Sequence, residues 1–280
     1  MGAVRIAVVQ MRSGSDVDEN ERAILRLLHD ARDRGAQYIQ FPEYCTYWGP
    51  RNGYAKAAKK LDDEFIAEVG REAQAREVTV HLGSVLEPAS DGRFFNTSVI
   101  IGSDGHVGAI YRKVHLFDAH PPGGVTYLES LDMTPGQEMV VVDVDEMCLG
   151  LSICFDVRFA ELYRALALAG AQVFAVPAAF SAHTGPAHWE VLLRARAIEE
   201  HAYVLAAAQA GTTSDGLATH GHSMVVSPWG EILVEATGDG EEVLIAEIDV
   251  NEVSERRAQI EVLRLRRPAV YQREVLTRRI

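Results

Sequence analysis

The run Leu149-Gly150-Leu151-Ser152-Ile153-Cys154-Phe155-Asp156-Val157-Arg158-Phe159 brings an apolar, strand-like approach to a halt at a single cysteine. A short polar turn follows, and a helix is predicted to begin near Phe159. The thiol therefore stands at the C-terminal end of a strand and beside a helix N-terminus. Oriented backbone N–H groups and the helix dipole at such a place favour thiolate over thiol. A buried structural cysteine is the bland alternative, and the segments on either side decide between the two.

Working outward, the run sits inside a strand-helix alternation. Val4 to Met11 reads as a buried strand and Asp18 to Arg34 as an amphipathic helix, with Ile24, Leu27, Leu28 and Ala31 at helical spacing and Gly35 closing it. Tyr38 to Pro42 is a strand that runs into Glu43. Tyr44 to Lys60 lacks periodicity and reads as an active-site loop. Leu61 to Arg76 is helical; Val78 to Glu87, Phe94 to Ile101 and Val107 to Val114 are strands, with Asp91-Gly92 and Asp104-Gly105 as turns between them. His115 to Gln137 is loop, punctuated by Pro121-Pro122-Gly123-Gly124 and Thr134-Pro135-Gly136.

The second half repeats the scheme. Val140 to Val144 and Cys148 to Ile153 are strands, Phe159 to Ala169 a helix closed by Gly170, Gln172 to Val176 a strand and Pro186 to His201 a helix. Tyr203 to Ala210, Gly221 to Ser227, Glu231 to Ala236 and Val243 to Ile248 are strands, and Asn251 to Ile260 is a short helix. From Glu261 onward the chain is basic and irregular, with Arg264, Arg266 and Arg267. Each half gives strand-helix-strand and then hairpins, with no low-complexity linker between. The pattern predicts one α/β domain over 1–280: a four-layer α-β-β-α sandwich of two mixed sheets face to face with helices outside. A doubly wound single sheet is the alternative, and the hairpins of the second half count against it.

Composition narrows the function. The 280 residues are 48% hydrophobic, enough for a substantial core. Forty acidic against 27 basic residues give a net charge of -13, which argues against nucleic acid as a partner. No apolar stretch approaches the ~20 residues of a membrane helix. The apolar run in Met1 to Gln10 is too short for a secretory signal. Cys45, Cys148 and Cys154 are too few and too irregular for a disulfide framework, and suit a reducing, cytoplasmic setting.

A thiol hydrolase needs a nucleophile, a base and cationic or dipolar groups for the oxyanion. Ten histidines are present, and none stands out as the base: His81 lies in a strand, His115 follows Lys113, His183 and His188 flank Thr184-Gly185-Pro186, and His220 and His222 flank Gly221. Zinc on His183, His188 and Cys154 would lack a recognised ligand spacing. Glu43 and Lys113 stand where strands end. Alone, each is an ordinary solvated charge; with Cys154 at a strand-to-helix elbow they form a joint pattern.

That pattern resembles the Glu-Lys-Cys triad of the nitrilase superfamily, the carbon-nitrogen hydrolases. Similar too are Leu128-Glu129-Ser130, the run Gly185 to Ala197, and Gly221 to Gly230. The resemblance spans nearly the whole chain and points to the amidase branch. It implies Cys154 as nucleophile, Glu43 as general base, Lys113 as oxyanion donor that also lowers the thiol pKa from ~8.5, and the Phe155 N–H as second donor. Glu129 would orient the lysine and the substrate. Arg158 is read either as an ion-pair partner of Asp156 or Glu161 or as the anchor of a substrate carboxylate, which its fork suits. Phe180, His183 and Thr184 are candidate pocket residues. Tyr44, Tyr47 and Trp48 shape the acyl pocket or pack the loop, and Trp189 and Leu192 belong to the core or an interface.

Nitrilases of the superfamily carry Trp-Glu after the cysteine; Phe155-Asp156 departs from this and favours amides over nitriles. Phe155-Asp156-Val157-Arg158 also departs from the N-carbamoyl hydrolase pattern. The resemblance thus implies hydrolysis of a small, carboxylate-bearing carboxamide through a thioester, of the omega-amidase type (alpha-ketoglutaramate, alpha-ketosuccinamate) or the deaminated glutathione amidase type. It implies no metal or organic cofactor. It also implies a homodimer or larger assembly through Phe159 to Ala169, Pro186 to His201 and the tail at 261–280. The alternatives are nitrilase or N-carbamoyl hydrolase activity, a non-catalytic binding protein, and a histidine-dependent or redox cysteine.

Overall fold

In the computed structural model, which describes residues 3–120, 126–214, 216–273 and 275, the approach to Cys154 is the strand Met147–Leu151 at the heart of a six-stranded sheet. That sheet runs in the order Ile232–Glu235, Met224–Val226, Tyr203–Ala206, Val173–Ala175, Met147–Leu151, Val141–Val144. Its three middle strands, Met147–Leu151, Val173–Ala175 and Tyr203–Ala206, are parallel, and antiparallel strands flank them. A second sheet repeats the design as Glu242–Ile248, Val4–Gln10, Tyr38–Gln40, Thr79–Pro88, Phe94–Ile101, Val107–Arg112, again with three parallel strands in the middle.

Strands buried on both faces account for the near-continuous Val/Ile/Leu/Ala runs. The helices Val17–Asp33 and Glu64–Arg76 cover the outer face of the first sheet through Ile24, Leu27, Leu28, Phe65, Ile66 and Val69. Ala160–Leu168 and Gly185–Glu200 cover the second, with Leu162, Leu166, Trp189 and Leu193 fully or nearly buried. The inner faces meet in one core that joins Val4, Ile6, Val8 and Tyr38 to Leu149, Leu151, Val204 and Leu205. This is the four-layer sandwich expected. The Gln40 side chain crosses it, its Nε2 donating to Leu205 O at 2.9 Å. Trp189 belongs to the core, its Nε1 donating to His222 O.

The parallel strands of both sheets deliver their C-terminal ends to one rim. Gly83 is what allows the close approach there. A Cβ at this position would lie 2.0 Å from Phe41 O and 2.6 Å from the Pro177 side chain, so only hydrogen fits between the two strand ends.

Four element predictions need correction. The 115–137 segment is not all loop: Asp118–Ala119 pairs with Tyr127–Leu128, and a 3₁₀ turn covers Glu129–Leu131. Pairs of two residues are too short for any periodicity to register. The expected strand to Ala210 stops at Ala206, and Ala210–Thr212 pairs instead with Ala218–His220 in a separate ladder. A 3₁₀ helix, Cys154–Arg158, precedes the α-helix of 160–168. The tail contains a short helix, Pro268–Tyr271. Pro121-Pro122-Gly123-Gly124 and, in the tail, 274 and 276–280 lie outside the described residues.

Candidate active site

Cys154 occupies the elbow with φ +47°, a left-handed backbone that non-glycine residues rarely adopt. Its N–H is tied to Pro177 O at 2.9 Å. Asp156, fully buried, locks the elbow. It accepts from Ile153 N at 2.8 Å, Tyr111 OH at 2.7 Å, and both His115 N and Nδ1 at 3.0 and 2.7 Å. One carboxylate thereby fixes the cysteine turn to the segment that carries Lys113.

Glu43, Lys113, Glu129 and Cys154 converge, although they come from four separate stretches of chain. Lys113 Nζ is 2.8 Å from Glu43 Oε1 and 2.9 Å from Glu129 Oε2, with lysine and Glu43 side chains each 2% exposed. Glu43 Oε2 accepts the Ala179 N–H at 2.7 Å. Glu129 Oε2 accepts the Phe117 N–H at 2.6 Å, and its Oε1 accepts Tyr44 OH at 2.9 Å. Behind them, Gln209 Nε2 donates to Glu43 O at 3.0 Å and to Ser13 Oγ at 2.8 Å.

Charge sets the protonation states. Burial alone would push the Lys113 ammonium down, but the Glu129 and Glu43 carboxylates hold it well above its ordinary value. Burial pushes Glu129 up; Lys113, the Phe117 N–H and Asn96 more than reverse this and leave it below the usual carboxylate range. Burial and then the Glu43 charge push the Cys154 thiol well up, with Lys113 opposing. The expectation of a lowered thiol pKa is therefore corrected. Desolvation of the buried sulfur and the Glu43 charge outweigh the single ammonium, and the helix at Cys154 is a five-residue 3₁₀ turn rather than a long aligned dipole. The resting nucleophile is a thiol, which makes an adjacent base necessary.

The site opens into a cleft of about 560 Å³ lined by Glu43, Tyr44, Trp48, Arg51, Tyr54, Lys113, Phe117, Tyr127, Glu129, Asp132, Cys154, Ala179 and Ser181, among others. Tyr44 and Trp48 form a wall as a stacked pair, 5.0 Å between centroids. Arg51 closes the mouth, its Nε 2.9 Å from Asp132 Oδ2 and its Nη2 donating to Leu128 O.

Other predicted residues do not line this cleft. Phe180 is buried, packed at 4.9 Å against Trp189. Thr184 caps the helix of 185–200, and His183 is exposed. Tyr47 packs edge-on against Tyr54. The Phe155 ring lies tilted against Phe117 and edge-on to Phe159, and its N–H engages no hydrogen-bond acceptor among the described residues. Arg158 pairs with neither Asp156 nor Glu161. Its guanidinium lies 5.3 Å from the Phe180 ring and 5.9 Å from that of Phe155, with His188 Nδ1 at 3.2 Å, and no carboxylate bridges it among the described residues. The half-buried cation stays near enough to Cys154 for the two to interact electrostatically.

No histidine lines the cleft among the described residues, and burial holds His81 down to about 3, a neutral ring bound to Tyr38 OH and Ser98 Oγ. Among the described residues no cluster of three or more His, Cys, Asp or Glu is arranged for a metal. The sequence reading missed Asn96, the Ala179 N–H and Gln209, which touch the site carboxylates or their backbone. It took Asp156 as a marker of branch and as a possible partner of Arg158, not as the lock of the elbow. A polar residue inside the apolar-rich strand Phe94–Ile101 was the available signal for Asn96.

Comparison with known proteins places these observations among relatives. Residues 5–258 match the carbon-nitrogen hydrolase family. The chain is 35% identical to human omega-amidase NIT2 over 272 residues, 97% of this chain and 98% of the relative. It is 40% identical over 267 residues to the deaminated glutathione amidase of Synechocystis, covering 93% and 97% of the two chains. Among solved structures it is similar to a variant of the amidase from Nesterenkonia sp. AN1, with the acetamide moiety of fluoroacetamide added covalently at that enzyme's active-site cysteine. The TM-score is 0.81, with 26% identity over 97% of this chain and 96% of the other.

Proposed function

The chain belongs to the carbon-nitrogen hydrolase family, and from that premise we propose that it is a cysteine amidase that releases ammonia from the terminal carboxamide of a small, carboxylate-bearing substrate. The observation that carries this is the buried contact of Lys113 with Glu43 and Glu129 beside the Cys154 thiol. Glu43 takes the thiol proton as sulfur attacks the amide carbon. The developing oxyanion meets the Lys113 ammonium and the uncommitted Phe155 N–H. Collapse breaks the C–N bond, Glu43 returns its proton to the departing nitrogen, and ammonia leaves a thioester on Cys154. Glu43 then activates water, which releases the acid. Glu129, tied to Lys113, Tyr44 and the Phe117 N–H, orients the lysine.

Names of the relatives support the amide class, and the adduct on the Nesterenkonia enzyme's cysteine supports covalent catalysis. Although it does not itself line the cleft, Arg158 is the anchor we assign to the substrate carboxylate, since it is a half-buried cation within electrostatic reach of Cys154 and without an acidic partner among the described residues. Ammonia release is measured on alpha-ketoglutaramate, deaminated glutathione and uncharged aliphatic amides. The wild type is expected to favour the carboxylate-bearing amides. Arg158→Met is expected to raise their KM about tenfold or more and to leave uncharged amides within about threefold. Equal effects on both groups would remove Arg158 from recognition, and inertness toward every amide would overturn the amidase reading.

Residues 1–280 are read as one hydrolase domain, in keeping with a family match that runs through both halves. The three cysteines are free, which suits a reducing cytoplasm, and no helix among the described residues is long and apolar enough to cross a membrane. We also propose self-association through the helices of 160–168 and 185–200 and the tail. Leu168, Val191, Ile198 and Leu265 are large apolar residues left 47–66% exposed there. Light scattering is expected to give at least twice the 30.7 kDa chain mass; a monomer at micromolar concentration would exclude this.

A further inference from the structure

Asn96 lies in the strand Phe94–Ile101 and is 1% exposed. Its backbone carbonyl accepts the Lys113 N–H at 2.9 Å, so the two residues face each other across neighbouring strands. Its Nδ2 is 2.8 Å from Glu43 Oε1 and 3.1 Å from Glu129 Oε1. The same two oxygens are 2.8 and 3.2 Å from Lys113 Nζ. Two acceptors thus sit between two donors, one an ammonium and one a neutral amide. The opposite amide orientation would turn a carbonyl oxygen toward two carboxylates, so the NH₂ end is the one that faces them.

The acceptor end of the amide supports a role beyond packing. Asn96 Oδ1 is buried without a hydrogen-bond partner among the described residues. An unsatisfied buried acceptor is costly, and an apolar side chain of similar size would avoid it. What the amide gains in return is a donor shared by both site carboxylates.

We propose that Asn96 is a positioning residue that holds Glu43 and Glu129 as an ionised pair on Lys113, so that Glu43 is available as the base for Cys154. This rests on the reading of Glu43 as that base. The amide adds no charge, which explains why a second lysine would not serve: it would compete with Lys113 for the same carboxylates and neutralise the base. The ionisable groups around the cage are Glu43 and Tyr44 from the loop after Tyr38–Gln40, Lys113, Glu129, Cys154 and, farther out, Tyr54. Glu87 on the adjacent strand is engaged by Arg112 through two 2.7 Å contacts.

The test uses Asn96→Ala, Asn96→Ser and Asn96→Asp, each checked for folding by circular dichroism and thermal melting. Turnover of the best amide is followed from pH 5 to 9. Alkylation of Cys154 by iodoacetamide is followed over the same range by peptide mass spectrometry, a readout that needs no amidase activity. Losing a donor to an anion disfavours the ionised form, so the acid limb of both profiles should move upward by about one pH unit in Asn96→Ala. The kcat should fall about 10- to 100-fold with KM within about threefold. Asn96→Ser, which keeps one donor, should fall between. Asn96→Asp has the right size but brings a third carboxylate, and should lose most at pH 8.

Folded Asn96→Ala and Asn96→Asp proteins whose acid limbs stay at the wild-type position would overturn the proposal, as would a rise in KM with kcat unchanged. If the wild type turns over no amide but its alkylation limb still moves with Asn96, the amidase reading falls and the positioning role stands. If turnover is present and neither limb moves, only the positioning role falls.

Discussion

Cys154→Ala is expected to lower kcat/KM for every amide substrate by a factor of about 10⁴ or more, because no other thiol lines the cleft among the described residues. The loss should be chemical rather than conformational. Alanine removes one buried sulfur from a 7%-exposed position and meets the same φ of +47° that cysteine tolerates, so stability should stay within about 1–2 kcal/mol of wild type. Asp156 and the Pro177 carbonyl hold the elbow through backbone groups that the substitution leaves in place. Stopped assays for ammonia on wild type and variant, beside urea denaturation of both, make the comparison. Residual turnover of a few per cent in a properly folded Cys154→Ala protein would remove Cys154 as the nucleophile and open the site to a direct attack of water driven by Glu43.

How much of this was legible beforehand differs residue by residue, for physical reasons. Cys154 stood out as a candidate because it ends a strand whose hydrophobic pattern is local. Glu43 needed the resemblance, and so did Lys113, since a lysine after a strand is common. Its importance comes from two carboxylates 16 and 70 residues away in sequence. The thiol's protonation state was misjudged because it depends first on burial and then on the balance of nearby charges. The sequence supplies the cation and the neighbouring anion but not how deeply the sulfur is buried, and burial, with the Glu43 charge added, outweighs the ammonium. Asn96 was overlooked because its neighbours Phe94, Phe95 and Thr97 are ordinary strand formers, and its partners are supplied by two other segments. For Arg158 the sequence left open an ion pair or a substrate role, and only the structure shows that it is not paired with Asp156 or Glu161. The rotamer of a long side chain in a turn is set by tertiary neighbours, here the Phe155 and Phe180 rings. The sheets themselves were legible because strands buried on both faces announce themselves as apolar runs, whereas Gln209 is embedded in alanines that read as more strand.

Lys113 is where activity and stability should fail together. Lys113→Ala takes away the oxyanion donor and leaves Glu43 and Glu129 facing each other in a site where the lysine and Glu43 side chains are 2% exposed and Glu129 is 10% exposed. Turnover should drop by about 10³-fold or more. Removing one partner of a buried pair costs about 3–5 kcal/mol, because the remaining charge is uncompensated. The pH dependence identifies the cause. In the wild type, Glu129 is held below its usual range, so its contribution is present above the unfolded carboxylate value of about 4.3 and is lost as pH falls. Without the ammonium, burial dominates and the folded-state value rises. The carboxyl group then favours folding only while protonated, and that contribution is lost as pH increases. The stability gap between Lys113→Ala and wild type should therefore be widest near pH 8 and shrink toward pH 5.5, as read from urea midpoints at several pH values. Adding Glu129→Gln to Lys113→Ala should recover part of the stability at pH 8 and none of the turnover, since it removes the orphaned charge without restoring a donor. Parallel curves for wild type and Lys113→Ala across that range would mean that the lysine's contribution is packing by its aliphatic stem, and the charge argument for this site would fail with it.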